Sequence, residues 1–165
     1  RGPGLKTHQM LQFGELRVGV LAISPPGHIS IATPGFERLD PYRSSRAILD
    51  DVANQSDVVI LLNNDATPAT KKLVRTGQID VVIETAHHRG FEAPFRYGQA
   101  IWVRSHDQGL RLGELRLYSH EKSLMTATDR KIDLNEAIDD DPNMASIAKE
   151  ADRELKALER ALFSP

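Results

Sequence analysis

Three short apolar runs set the pattern of the first half of the chain. The run at 15–24 (ELRVGVLAIS) alternates and then becomes wholly apolar, whereas 56–65 (SDVVILLNND) and 79–85 (IDVVIET) are apolar through their centres. Continuous apolar runs of this length, bounded by turn-forming residues, are typical of strands buried on both faces of a parallel sheet. The pattern predicts three central strands, with Gly19 where another backbone or a ligand comes close.

The segments between these strands carry helix signals. Asp40 is placed to cap a helix predicted over 41–56, and Gly77 is placed to close a shorter helix over 66–78. The resulting order of strand, helix, strand, helix and strand predicts a βαβαβ arrangement. The proline-rich stretch 25–41 predicts a long surface loop, and long loops in compact domains are often functional.

The pattern changes after residue 90. Within 91–119, the strand-like runs QAIWVRS and LRLGELRLYS are separated by His106-Asp107-Gln108-Gly109, which predicts a hairpin between them. The domain is therefore expected to finish in antiparallel strands. Residues 121–139 fit one more strand or an extended linker.

The end of the chain has the clearest helical period. Asp141 is placed to cap a helix over 141–163, with Pro142 in its first turn. Apolar residues then recur at alternating spacings of four and three, at Met144, Ala148, Ala151, Leu155, Leu158 and Leu162. Such a stripe packs on its own domain, links to a following domain or forms a coiled-coil seam with a partner.

Composition removes several classes of function. The 165 residues include 21 Lys+Arg and 23 Asp+Glu, so the formal net charge of −2 gives no basic footprint for nucleic acid. The absence of cysteine excludes disulfides, thiolate zinc sites, iron–sulfur clusters and a catalytic thiol. The longest apolar runs are far too short for a transmembrane segment. The start of the sequence has neither an initiating Met nor a signal segment, so we expect a piece of a longer protein.

Polar side chains follow two of the predicted strands at the point where each strand ends. They are Asn63, Asn64 and Asp65 after one strand, and Glu84, His87, His88 and Arg89 after the other. The carboxyl ends of parallel strands share one edge of a sheet, so these groups are expected to converge. Imidazole with carboxylate or amide oxygen is a reasonable ligand set for zinc, manganese or iron. Adjacent strand residues point to opposite faces, so the two histidines either bind a metal or form hydrogen bonds in a loop.

The order of these segments resembles the C-terminal half of a calcineurin-like metallophosphoesterase domain, most similar to the 5′-nucleotidase branch of exported bacterial enzymes. The resemblance rests on FGELRVGVLAIS, SDVVILLNN, IDVVIETAHH and YGQAIWVRSHDQGLRLGELRL. It implies an α/β half-sandwich with parallel strands, short crossover helices, an antiparallel finish and a long C-terminal helix. The implied divisions are an N-terminal arm (1–13), a half-domain (14–120), a linker (121–140) and a linker helix (141–163).

The resemblance implies a site for two divalent metal ions, of Mn, Zn or Fe, that is degenerate in this sequence. Asn64 takes the place of one histidine ligand, and His88 takes the place of the second histidine in a Gly-Gly-His-x-His motif. The two glycines of that motif fall on Glu84 and Thr85, and its first histidine falls on Ala86. Glycines let the backbone approach a metal closely, so their replacement opposes binding. Asn64 and His88 are therefore the metal-site candidates.

A shift of the motif by one residue gives a second alignment. It puts His87 in the first ligand position but Arg89, a cation, in the second. His87 and Asp65 are therefore further candidates beside the first two. The family also requires an upstream Asp-x-His, a bridging Asp and a Gly-Asn-His-[Asp/Glu] segment, and none occurs in this sequence. No catalytic residue is assigned.

Three functions remain open. The chain is a fragment of a 5′-nucleotidase-like protein whose parent hydrolyses phosphate esters with two metal ions, or a catalytically degenerate domain that acts as a binding or assembly module in a cell-envelope complex. The third is an unrelated α/β ligand-binding domain. The resemblance implies a periplasmic or cell-envelope location. A half-sandwich leaves one sheet face and edge uncovered, so we expect a partner: the missing N-terminal half, another protein chain or a second copy.

Overall fold

The computed structural model describes residues 6–24, 39–64, 67–85, 93–104, 110–120 and 123–163. It divides into two compact units, Arg1–Asp133 and Leu134–Pro165. The elements of the first unit are β1 (His8–Phe13), β2 (Leu16–Ile23), α1 (Pro41–Gln55), β3 (Val58–Asn63), α2 (Pro68–Val74), β4 (Val81–Glu84), β5 (Phe95–Tyr97), β6 (Ala100–Arg104), β7 (Arg111–His120) and β8 (Ser123–Asp133). The second unit contains α3 (Pro142–Phe163).

The main sheet has six strands in the order β1-β2-β3-β4-β6-β5. The central four strands are parallel, and β1 and β5 pair antiparallel at the two edges. Helices α1 and α2 form the crossovers of the predicted βαβαβ arrangement. The predicted α/β fold, with parallel strands, short crossover helices, an antiparallel finish and a C-terminal helix, is confirmed.

Both crossover helices begin where the sequence places a cap and a proline. The Asp40 carboxylate accepts a hydrogen bond from the Arg43 backbone N–H at 2.7 Å, and Pro41 follows it. The Thr67 hydroxyl accepts one from the Thr70 N–H at 3.3 Å. These bonds satisfy donors that a helix leaves unpaired in its first turn.

Gly19 fits a close approach between β2 and the end of α1. A Cβ atom built on Gly19 lies 2.4 Å from both Val52 Cγ1 and Ser56 Oγ. Real side chains do not approach this closely, so only glycine lets α1 pack on the sheet at this depth. The close contact predicted for Gly19 is therefore made by a helix of the chain itself.

The two faces of the main sheet differ in their covering. The core beneath α1 and α2 is formed by alternate strand residues and by helix side chains such as Leu49, Val52 and Leu73. The opposite face carries the intervening apolar residues, and part of it is exposed. Leu61 is 0% exposed on the helix side, whereas its neighbour Leu62 is 39% exposed on the other. The exposed opposite-face residues, named here the open patch, are Leu11, Phe13, Leu16 and Leu62.

Two aspartates form hydrogen bonds with neighbouring strands at the starts of β3 and β4. Asp57 receives a bidentate bond from the Arg17 guanidinium, at 3.0 and 3.2 Å, and a further one from the Arg17 backbone N–H at 2.9 Å. The Asp80 carboxylate accepts a bond from the Val59 N–H at 2.8 Å. Burial raises the pKa of Asp80, and the bond from Val59 opposes that rise.

The structure differs from the sequence prediction in how the outer strands pair. The hairpin predicted between QAIWVRS and LRLGELRLYS is wrong, because β6 pairs with β4 and β5 whereas β7 pairs with β8 in a separate two-stranded sheet. The predicted turn residues, 106–109, lie outside the described residues. In the predicted N-terminal arm, His8–Phe13 forms edge strand β1. Within 121–139, the strand alternative holds for β8.

Helix α3 has the predicted cap and stripe. The Asp141 carboxylate accepts bonds from the backbone N–H groups of Asn143 and Met144, at 2.8 and 3.1 Å. The large apolar side chains of the stripe are between 56% and 74% exposed. Among the residues described, no helix has the length and hydropathy needed to cross a membrane.

Candidate functional site

Three neighbouring parallel strands end in polar residues that stand side by side. Asn63 at the end of β3 is in register with Glu84 at the end of β4, and Glu84 is in register with Arg104 at the end of β6. Paired residues in a sheet share a face, so all three lie on the face covered by α1 and α2. The carboxyl edge of a parallel sheet is where α/β proteins commonly bind ligands, which makes this row the candidate site.

Glu84 is the centre of a buried charged network. Its Oε1 accepts a bond from Arg104 Nη2 at 2.7 Å, and its Oε2 accepts one from Trp102 Nε1 at 2.7 Å. The Glu84 side chain is 1% exposed and that of Arg104 is 10% exposed. Burying a carboxylate is costly unless hydrogen-bond donors and a countercharge replace the water it loses. The network therefore commits both oxygens of Glu84 to the protein.

Trp102 is itself held in place by aromatic packing. Phe95 stacks on it with ring centroids 5.7 Å apart, and Tyr97 meets it edge-on at 6.0 Å. Both partners lie on edge strand β5, which is in register with β6 through Phe95 and Trp102. The indole N–H is thus aimed at Glu84 by the pairing of β5 with β6.

Asn63 joins the end of β3 to the start of α2. Its Oδ1 accepts a bond from the Thr70 hydroxyl at 3.1 Å, and both side chains are buried. The Asn63 Nδ2 group is buried, and no partner for it is found in the part of the chain that the structure describes. Asn63 is therefore a structural link between strand and helix whose side-chain NH2 group has no described partner.

Asn64, a predicted metal ligand, lies just beyond the end of β3. It is exposed, and its Oδ1 accepts a bond from the Thr85 hydroxyl at 3.1 Å. The Asn64 N–H donates to Ile23 O at 3.3 Å, and the Thr85 N–H donates to Asn63 O at 2.9 Å. These bonds extend the sheet ladder past the last strand residues and draw the two loops together.

The other predicted site residues, Asp65, His87 and His88, lie outside the described residues. In the described ranges, no group of three or more His, Asp or Glu side chains could hold a metal ion. The donor set at the described edge does not fit a metal centre, because the Glu84 carboxylate is already bonded to a guanidinium. The position aligned with the motif's first glycine is thus filled by a paired charge.

Sequence reasoning placed Asn63 and Glu84 at the strand ends but missed Arg104 and Trp102. Those two residues are 20 and 18 positions from Glu84, and they reach it only because β6 lies next to β4. Because β6 was predicted to pair with β7, the prediction did not place β6 beside β4. A buried carboxylate at a strand end nevertheless needs a cationic partner. Arg104, at the end of the next parallel strand, was therefore the residue from which the pair could have been predicted.

Comparison with solved structures gives the class of fold. The chain is similar to the sulfate thiohydrolase SoxB from Thermus thermophilus in complex with glycerol, with 19% identity and a TM-score of 0.67 over 79% of this chain and 25% of that one. It is similar to a proposed 5′-nucleotidase from Staphylococcus aureus, with 14% identity and a TM-score of 0.64 over 89% and 33%. A phosphatase from Mycoplasma pneumoniae matches with 10% identity and a TM-score of 0.55 over 86% and 60%.

These likenesses show the fold, and the chain has that of a phosphoesterase-like half-domain. The predicted resemblance to the calcineurin-like and 5′-nucleotidase-like fold is confirmed at this level. No family model and no curated protein matches the sequence. The chain spans about a quarter to a third of the length of the first two structures.

Proposed function

We propose that this chain is part of a phosphoesterase-fold protein in which the strand-end edge serves structure and assembly, and that it acts as a binding or assembly module in a cell-envelope complex. The observation that carries the proposal is the Glu84–Arg104 pair, with Trp102 as the second donor. A guanidinium fixed beside the strand end repels a divalent cation, and each Glu84 oxygen already accepts a hydrogen bond from the protein.

The open patch supports an assembly role. Leu11, Phe13 and Leu16 form one exposed corner of the face opposite the helices, and Leu62 lies toward its carboxyl edge, whereas Val18 and Val81 on the same face are buried. Apolar surface of this kind on a regular sheet is normally covered by a second layer. We propose as its cover an N-terminal half of the domain in a longer parent protein, since the similar structures are much longer than this chain. A second copy and another protein chain are the alternatives.

Phosphate-ester hydrolysis by the parent protein is the second candidate. It is favoured by the fold shared with a sulfate thiohydrolase, a proposed 5′-nucleotidase and a phosphatase. A fold hosts many functions, so this support is analogy alone. In that case Asn64 and His88 would be the ligands from this half, with Mn, Zn or Fe as the metal and the remaining ligands from elsewhere in the parent.

Metal and turnover measurements on the parent protein separate the two candidates. Isothermal titration with Mn²⁺ and Zn²⁺ is expected to show no stoichiometric binding, and AMP and p-nitrophenyl phosphate are expected not to turn over. Stoichiometric metal together with turnover would reject the assembly role in favour of the enzyme. His88→Ala is then expected to abolish metal binding, whereas His8→Ala, on edge strand β1, serves as the matched control.

A further inference from the structure

Helix α3 has an apolar side and a polar side, and on the polar side its acidic and basic residues occupy different positions around the helix. At about 100° per residue, the apolar stripe of Met144, Ile147, Ala148, Ala151, Leu155, Leu158 and Leu162 occupies an arc of about 100°. The acidic residues fall about 70° to 110° from its midline: Glu150, Asp152, Glu154 and Glu159. The basic residues fall about 130° to 170° away: Lys149, Arg153, Lys156 and Arg160.

Acidic residues therefore border the stripe on both sides, and basic residues occupy the back of the helix. Apart from Ile147 at a g position, the stripe has alternating spacings of four and three and forms an a/d seam. Asp152 and Glu159 take e positions beside this seam, and Glu154 takes a g position. No lysine or arginine of α3 occupies an e or g position. Lys156 Nζ contacts Asp152 Oδ2 at 2.6 Å, but both groups are exposed, and such pairs are weak and easily exchanged.

This border disfavours a second copy of the same helix. In a parallel pair, Glu154 of one copy faces Glu159 of the other, and in an antiparallel pair the e positions Asp152 and Glu159 face each other. Either register brings like charges together beside the seam, which is the arrangement that coiled coils use against wrong partners. The seam is apolar enough to bind another helix, but the acidic residues beside it would repel those of a second copy.

We propose that α3 docks on a helix of a different protein chain, whose apolar stripe is bordered by lysine or arginine. Apolar side chains between 56% and 74% exposed supply the contact surface, and the acidic border selects a basic partner by charge complementarity. The inference goes beyond the proposed function, because it concerns a separate unit and holds whether or not the parent protein has catalytic activity.

The test uses two designed peptides and the full 165-residue chain. Both peptides carry leucine at every a and d position; one has lysine and the other glutamate at every e and g position, so neither pairs with itself. Fluorescence anisotropy is expected to show the lysine peptide binding about tenfold more tightly at low salt, with the difference shrinking at high salt. Equal binding of the two peptides, or no binding of either, would overturn the proposal.

Charge reversal on the chain provides the matched pair of variants. The border variant, Asp152→Lys with Glu154→Lys and Glu159→Lys, is expected to prefer the glutamate peptide. The back variant, Lys149→Glu with Arg153→Glu and Arg160→Glu, changes three charges on the same helix and is expected to keep the original preference. Circular dichroism on both variants checks that α3 still forms. A preference that survives the border variant would contradict the proposal.

Self-association and membrane binding are decided by two further measurements. The chain has no cysteine, so Ala151→Cys on the stripe and Ser146→Cys on the back report the contacts of α3 by oxidative cross-linking. Equal, low cross-linking is expected, and selective cross-linking through Ala151→Cys would establish a second copy as the occupant. Sedimentation with phosphatidylserine vesicles is expected to leave the chain in solution. Sedimentation that Leu155→Ser abolishes would establish lipid instead.

Discussion

Glu84 and Arg104 stand in register at the ends of two adjacent parallel strands, with Oε1 and Nη2 2.7 Å apart and both side chains nine-tenths or more buried. A buried pair of this kind contributes through the cost of breaking it more than through its net strength. Its members cannot be altered singly without leaving a charge in the protein interior. The pair makes the candidate edge a structural element in its own right.

Neutralising Glu84 alone is therefore expected to be costly. Glu84→Gln should lower the free energy of unfolding by about 3 kcal/mol, because the Arg104 guanidinium then loses its countercharge. Adding Arg104→Met to that variant should recover most of the loss, since no unpaired charge remains. Urea denaturation of both single variants and the double variant gives the coupling energy.

The exposed pair between Arg111 and Asp133 is the matched control. Its Nε and Oδ1 atoms are 2.6 Å apart, close to the 2.7 Å of the buried pair, but the side chains are 37% and 62% exposed. Asp133→Asn should change the free energy of unfolding by less than about 1 kcal/mol. If Glu84→Gln lowers the free energy of unfolding no more than Asp133→Asn does, then burial does not determine how much the Glu84 pair contributes to stability.

Leu61 and Leu62 test whether the open patch is covered in the parent protein. In the isolated chain, Leu61→Ala should cost about 3 kcal/mol of unfolding free energy, and Leu62→Ala should cost less than about 1 kcal/mol. In the parent, Leu62→Ala should become about as costly as the buried substitution, because the second layer then covers it. Thermal unfolding of chain and parent side by side makes the comparison. An unchanged, small cost in the parent would mean that nothing covers this part of the face.

Gly19 and Gly113 differ in what an added methyl group meets. Gly19→Ala should lower the free energy of unfolding by about 1 to 3 kcal/mol, because the Cβ atom collides with Val52 and Ser56. Gly113→Ala should be neutral or slightly stabilising, since no described atom lies within 4 Å of its Cβ position. Chemical denaturation measures both. Comparable effects at the two glycines would indicate that α1 does not approach β2 this closely.

Asp80 and Asp50 should affect the pH dependence of stability in opposite directions. Burial raises the pKa of Asp80, so its ionised form opposes folding at neutral pH, and this opposition disappears as the pH falls through the folded pKa. The stabilising effect expected for Asp80→Asn is therefore larger at pH 7 than near pH 4. The substitution retains an oxygen that can accept the Val59 N–H.

For Asp50, the Arg46 side chain and then Gln78 lower the pKa, so the ionised carboxylate stabilises the folded state above the unfolded pKa. Asp50→Asn is expected to destabilise the protein at neutral pH, with the loss fading as the solution becomes acidic. Urea denaturation at several pH values follows both variants. A stability difference of the same sign for both at pH 7 would contradict this account.

Local sequence signals predicted the interior of the fold well. The apolar runs identified β2, β3 and β4, and the caps Asp40 and Asp141 identified the starts of two helices. These elements are specified by neighbouring residues through strand burial and the hydrogen bonds of a first helical turn. Pairing between outer strands was predicted wrongly, since a glycine-containing turn signal says nothing about which sheet each strand joins.

The candidate site could be predicted only in part, for the same reason. Asn63 and Glu84 follow from where apolar runs stop, and Asn64 was placed correctly at the end of β3. Arg104 reaches Glu84 through sheet order, which depends on contacts between residues distant in sequence. The metal-ligand assignments to Asn64, His88, His87 and Asp65 remain predictions.

The Glu84–Arg104 pair also restricts the order in which this protein can change by single substitutions. Arginine stays charged under all ordinary conditions, so a buried guanidinium that loses its carboxylate partner remains an unpaired cation. A lineage that loses Arg104 first keeps a carboxyl group that still has the Trp102 N–H as a partner. One that loses Glu84 first must tolerate a buried cation. Single substitutions that lead to an uncharged strand end are therefore expected to be tolerated better when they begin at position 104 than at position 84.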